Sequence, residues 1–187
     1  MIVVVAGFPT RSRAQQPDST PQLGLGGSSA ISIHVGAAQF KHASLGPEVG
    51  GALDLGWIGS RRVRLSVGLD YLSTMIERPD SLGIHERGPG YVFTAFADVM
   101  ALMPLVRRAT PYAGVGFGVD AVGTSISNEQ VGFQYNTNVF NLHVQAGSLF
   151  YTTPRTRFQV EVRATGARVV RRLGARVGYV WLFNGLP

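Results

Sequence analysis

The 187-residue chain contains no cysteine and a single lysine, Lys41. The missing thiols exclude a disulfide scaffold, a cysteine-ligated zinc site and a thiol nucleophile. Charge is scarce: 15% of residues are Asp, Glu, Lys or Arg, against roughly 25% in soluble domains. Such a chain either turns much of its surface to something apolar or gathers its charges in a few places. No apolar run has the length of a membrane-spanning helix, about 18 residues or more. The longest candidate, Val99 to Val106, is broken by Pro104. The formal net charge of +6 builds no basic helix and no zinc-finger spacing. Arginines stand instead as doublets at the ends of apolar runs, Arg61-Arg62, Arg107-Arg108 and Arg171-Arg172, so nucleic acid is not an expected partner. Such doublets suit the flanks of membrane segments, where they meet anionic head groups or act as aggregation gatekeepers.

Glycine is abundant, with 24 residues, nearly twice the usual share of about 7%. It shows no three-residue period, which excludes collagen, and it is mixed with Val, Leu, Phe and Tyr, which argues against disorder. Glycine beside β-branched and aromatic residues suggests strands that bend or pack closely.

From Ile31 onward the dominant period is two. Apolar residues take every second position in eight segments: Ile31 to Ala37, Val49 to Trp57, Val63 to Tyr71, Tyr91 to Val99, Ala113 to Ala121, Phe140 to Ala146, Phe158 to Ala164 and Leu173 to Phe183. Each is close to the roughly ten residues of a tilted membrane strand. A helix would space them by three and four. The expected fold is all-β, a single antiparallel up-and-down transmembrane barrel of about eight strands.

The ends and connections fit this reading. Residues 2–8 are apolar, and Ser12-Arg13-Ala14 and a polar stretch from Gln15 to Gln22 come after them. This reads as a truncated signal peptide over 1–14 without its basic start; a buried N-terminal strand is the competing reading. A polar segment over 15–29, the barrel over 30–183 and an extension over 184–187 complete the organisation. The connections Ile58–Arg62, Met103–Thr110 and Thr152–Thr156 are short, whereas Met75–Pro89 and Gly123–Thr137 are long, polar and Gly-rich. Short turns at one end and long loops at the other suit a membrane barrel. The loops, about 75–90 and 123–138, are then the surface that would meet host molecules, other proteins or lipopolysaccharide.

Alternation does not itself say which face points outward. A lipocalin-like soluble barrel is apolar inside, and a membrane barrel is the reverse. The minority face combines glycines with Glu48, Asp54, Arg64, Asp70, Asp98, Asp120, His143, Glu161, Arg163 and Arg176, with His34 beside them. A narrow eight-stranded interior must be filled by side chains, and acids and bases on one face can neutralise each other there. These residues are the expected polar network of the lumen. The apolar face carries aromatics near strand ends: Trp57, Tyr71, Tyr91, Phe140, Phe158, Tyr179, Trp181 and Phe183. Aromatic girdles mark membrane interfaces, so these residues are expected to face lipid.

Two stretches carry a resemblance: Pro111-Tyr112-Ala113-Gly114-Val115-Gly116-Phe117-Gly118, and the closing Gly174-Ala175-Arg176-Val177-Gly178-Tyr179-Val180-Trp181-Leu182-Phe183. With the signal-like N-terminus, they resemble the eight-stranded outer-membrane barrels of the OmpA-transmembrane-domain and opacity-protein type. The resemblance is architectural and covers about residues 30–183. It implies residence in the bacterial outer membrane, contact with its lipid and lipopolysaccharide, and reading of the closing strand by the barrel-assembly machinery. Asn184-Gly185-Leu186-Pro187 departs from it, because such proteins usually end on the aromatic residue.

Some barrels of this kind modify lipid A, which makes catalysis one possible role. The one local candidate for nucleophilic chemistry is His42-Ala43-Ser44 with Glu48, and triads are recognised by geometry rather than proximity in sequence. His34 and His143 share the lumen face, as metal ligands would, although hydrogen-bonded lumen histidines need no metal. Gly114-x-Gly116-x-Gly118 lies inside a strand and so is no dinucleotide fingerprint. The expectation is a monomeric, non-catalytic outer-membrane barrel with a side-chain-filled lumen and no cofactor. A lipid A-modifying enzyme and a soluble ligand-binding barrel are the alternatives.

Overall fold

Alternating residues give each strand two unlike faces, and this chain uses them to close a sheet on itself. The structure, a computed structural model, describes residues 25–26, 29–40, 43–58, 62–79, 85–103, 109–127, 132–153, 155–166 and 171–183. The signal peptide expected over 1–14, most of the polar segment and the extension over 184–187 lie outside these residues. The strands are β1 (Leu25–Gly26), β2 (Ala30–Phe40), β3 (Gly46–Ile58), β4 (Val63–Pro79), β5 (His85–Leu102), β6 (Ala109–Ser127), β7 (Gly132–Thr153), β8 (Thr156–Gly166) and β9 (Arg171–Leu182). Every pairing is antiparallel, neighbours in sequence are neighbours in the sheet from β2 to β9, and β2 pairs with β9 to close the ring. β1 pairs with the end of β3, Leu25 opposite Ile58.

The ring is staggered. The ladder from Trp181 passes through Ile31, Leu53, Val67, Ala97, Phe117, Leu142 and Gly166, and returns to β9 at Arg171, ten residues away. Such an offset obliges the strands to tilt. The connections β3–β4, β5–β6 and β7–β8 lie at one end, here the turn end, together with both ends of the β2–β9 seam nearest the termini. The other is the loop end.

Two expectations change. The long loops over 75–90 and 123–138 are largely strand. β4 and β5 stay paired from Met75–Pro89 to Pro79–His85, and β6 and β7 from Gly123–Asn136 to Ser127–Gly132. Ile76, Thr124, Ile126, Phe133, Tyr135 and Thr137 favour extended backbone, and a two-stranded hairpin that extends beyond the closed ring need not alternate in polarity. Four strands, β4 to β7, thus run well past the other four.

The second change concerns Trp57. The β3–β4 register shifts between Asp54 and Gly56, and Gly56 adopts φ 100°, a left-handed conformation that glycine takes without steric cost. This bulge moves Trp57 into register with the inward Arg64. Trp57 therefore lines the lumen beside Arg64 and is not among the outward-facing aromatics, contrary to expectation; a one-residue bulge inverts the facing of the residues after it.

The remaining exterior is apolar. Ile33, Val35, Leu69, Val115, Phe117, Leu142, Val144, Val162 and Val177 all point outward and are exposed. Tyr71, Tyr91, Phe140, Tyr179, Trp181 and Phe183 are exposed there too, and Phe158 is half-buried between its aromatic neighbours. At the turn end Phe158 meets Phe150 at 6.3 Å and Tyr179 at 5.6 Å, and Tyr179 meets Trp181 at 6.2 Å. Toward the loop end Tyr71 stacks on Tyr91 at 6.4 Å. An apolar band of this extent, bounded by aromatics, is what lipid requires and what water penalises.

Candidate functional site

Inside, the sequence positions its charges by a repeated device. Gly50 of β3 lies opposite both His34 of β2 and Asp70 of β4. Gly116 of β6 lies opposite both Asp98 of β5 and His143 of β7. Across each glycine a histidine reaches an aspartate: His34 Nε2 to Asp70 Oδ1 at 2.7 Å, and His143 Nε2 to Asp98 Oδ1 at 2.5 Å. A Cβ on either glycine would collide with both members of its pair and with a backbone carbonyl. The glycines therefore admit the contact between side chains two strands apart. Gly116→Val is expected to separate His143 from Asp98 and to destabilise the barrel by about 3 kcal/mol, the upper part of the overpacking range. Urea titration of the lipid-refolded variant measures this; a wild-type midpoint would show that the device is dispensable.

Arginines from β8 and β9 join the two pairs. Arg163 donates to Asp98 Oδ2 at 2.7 Å and Asp70 Oδ2 at 3.5 Å, and to Gln145 Oε1 at 2.7 Å. Arg176 reaches Asp70 at 3.2 Å and Glu161 at 2.6 Å, with His34 Nε2 at 3.0 Å. Phe96 lies beneath both guanidiniums, at 4.2 Å from Arg163 and 5.7 Å from Arg176, a cation–π arrangement that an apolar surround strengthens. Arg172 pairs with Glu48 and donates to Thr94 Oγ1 at 3.2 Å, while Thr94 donates to Asp120 at 2.6 Å. Tyr112 donates to Glu161 Oε2 at 2.6 Å and accepts from Gln159 at 2.6 Å. Nearer the turn end Arg64 pairs with Asp54 at 2.5 Å and covers the Trp57 ring at 4.7 Å.

All ten expected lumen residues, Glu48, Asp54, Arg64, Asp70, Asp98, Asp120, His143, Glu161, Arg163 and Arg176, face inward, and His34 joins them. Sequence reasoning missed Arg172, which it treated as half of a surface doublet. Its position relative to Gly174, Arg176 and Gly178 carried the signal, because all four share one face of β9. Of the other doublets, Arg61, Arg107 and Arg108 lie outside the described residues, and Arg62 is exposed at the turn end.

The hydrolase-like set does not assemble among the described residues. Ser44 Oγ lies 3.4 Å from the carbonyl of Met75, Glu48 points into the lumen toward Arg172, and His42 lies outside the described residues. His34, Glu48 and Asp70 do bring ligand atoms within 4.8 Å of one another, and two carboxylates with an imidazole can hold a divalent cation. Arg172 and Arg176 already neutralise those carboxylates, so a cation would have to displace them. His143 is bound to Asp98 and Asn141 instead.

Toward the turn end the lumen changes character. Below Phe96 it widens into a cavity of about 350 Å³. Its inward residues include Trp57, Met100, Leu102, Leu149, Val180 and Leu182, with Arg62, Arg64, Tyr151 and Arg157 around the mouth. Sequence reasoning did not foresee this apolar lower half.

No protein-family model matches the chain, and no curated protein matches its sequence. Its fold is shared with solved structures. Neisserial surface protein A is similar at a TM-score of 0.64 and 14% identity, over 84% of this chain and 99% of that one. Ail, the attachment invasion locus protein of Yersinia pestis, is similar at 0.55 and 15%, over 84% and 99%. A major outer membrane protein from Thermus thermophilus is similar at 0.55 and 12%, over 83% and 99%. The fold is that of the eight-stranded outer-membrane barrels.

Proposed function

We propose that the chain is a non-catalytic bacterial outer-membrane barrel, monomeric, with its lumen closed at the waist by its own charged side chains. The observation that carries this reading is a charged, mutually paired core inside an apolar exterior. Only a lipid surround makes both faces favourable. The aromatic face of β9 would engage the barrel-assembly machinery. The extended hairpins β4–β5 and β6–β7 would stand above the lipopolysaccharide and present the surface that other molecules meet.

Closure of the waist has an electrical consequence. Arg163, Arg176 and Phe96 cross the lumen with their partners, leaving no wide aqueous path of the porin kind. The purified barrel in a planar bilayer is expected to show no stepwise ion current, and in cells the protein is expected in the outer-membrane fraction in heat-modifiable form. Regular single-channel steps would overturn the closed lumen. A monodisperse, folded monomer obtained without detergent would overturn membrane residence.

A further inference from the structure

The lower lumen is unusual for the interior of a barrel whose upper half is charged. Trp57, Met100, Leu102, Leu149, Val180 and Leu182 turn apolar side chains into it. Its volume, about 350 Å³, falls in the range of small-molecule pockets, about 300–1,000 Å³. The floor is Phe96 beneath Arg163 and Arg176, so the cavity is a dead end rather than a passage. It reaches the surface at the turn end, where the exposed Arg62 and Tyr151 belong both to its lining and to the exterior.

Apolar walls make poor contact with water and good contact with an apolar body. The mouth adds a sign of charge. Arg62, Arg64 and Arg157 surround it, and the acid among them, Asp54, is paired with Arg64. Arg157 is held in place by donating to the carbonyls of Thr153 and Thr156, at 2.6 and 2.8 Å, and by stacking on Tyr151 at 3.4 Å. At the floor Arg163 and Arg176 are already committed to Asp98 and Glu161, which places an anionic group at the mouth, where three arginines stand with one acid.

We infer that the lower lumen is a binding site for a single-chain anionic amphiphile of medium length, its chain inside against Trp57 and Leu102 and its head group among the arginines of the mouth. The bulge at Gly56 is part of the site, because it turns Trp57 inward.

Trp57 and Trp181 are the two tryptophans of the chain, so Trp181→Phe leaves Trp57 as the sole reporter. The protein with that substitution, refolded into zwitterionic nanodiscs, is titrated with decanoate, decanol and a lysophosphatidylglycerol. A saturable change in Trp57 emission is expected with decanoate and is expected to be at least tenfold weaker with decanol. A comparable or stronger response to the lysolipid would identify a membrane lipid as the source of the same chemistry; a weaker one would identify a free acid. Ala52→Phe, which fills the cavity from β3, and Arg62→Glu with Arg157→Glu, which reverses the mouth, are each expected to weaken binding at least tenfold. The charge-reversal variant alters only the rim and tests the site even if Ala52→Phe does not fold. A response no different from tryptophan in nanodiscs alone, or one that neither variant reduces, overturns the proposal.

Discussion

Replacing Arg176 by Met is expected to lower the stability of the barrel by about 3–5 kcal/mol, the cost of leaving buried charges without their partner. Arg176 is expected to matter so much because, besides pairing with its ladder neighbour Glu161, it ties β9 to β3 and β4, strands that no hydrogen-bond ladder joins to it directly. From β9 it reaches Asp70 on β4 and Glu161 on β8, with Glu48 of β3 at 3.9 Å. Methionine keeps the length of the side chain but leaves these buried carboxylates facing one another without their cation. Arg64→Met should cost less, since its partner Asp54 lies nearer the mouth and is only partly buried. Urea unfolding in lipid bilayers, followed by heat-modifiable gel mobility, ranks the two variants. Equal midpoints for Arg176→Met and the unaltered protein would show that the network contributes nothing to stability.

A charge on the outside should be nearly as damaging. Val144 sits near the middle of the apolar band, outward on β7 and 56% exposed. Val144→Arg is expected to destabilise the bilayer-embedded protein by about 2–4 kcal/mol, the cost of a basic residue at the midplane of a membrane barrel. Val144→Leu at the same site should be almost neutral. In a water-soluble barrel the order would reverse, because arginine at an exposed strand position improves solubility. Refolding yield and unfolding midpoint in bilayers of matched thickness decide between them, and tolerance of Val144→Arg would remove the case for a lipid-facing exterior.

The strands and their faces were legible in the sequence because alternation is local: each inward Asp70, Asp98 or Glu161 is flanked by outward apolar residues. Three things were not legible, for different reasons. The bulge at Gly56 adds one residue to β3 and inverts Trp57, and an isolated glycine inside a strand does not say whether it bends the chain, makes room or only packs. The hairpins above the band carry strand-forming residues without alternation, so polarity marked them as loops. The apolar lower lumen was hidden because Val180-Trp181-Leu182-Phe183 is apolar on both faces, and the outward pair masked the inward one. Within the network, residue identities were readable but partnerships were not. His34 finds Asp70, and His143 finds Asp98, across intervening glycine strands, and only the register reveals that.

The waist network also bears on the order in which the barrel can form. Its contacts span the seam: His34 is on β2 and Arg176 on β9, far apart in the chain yet 3.0 Å apart in the barrel. A partly assembled sheet in lipid would hold these groups apart, with Arg172 and Arg176 cut off from Glu48 and Asp70 across the seam and both sheet edges open. Each of those states is costly in hydrocarbon. Completion of the charge network and edge pairing thus arrive in the same event, the meeting of the first and last barrel strands. Insertion and closure are therefore expected to be coupled, with half-zipped intermediates inside the bilayer kept sparse.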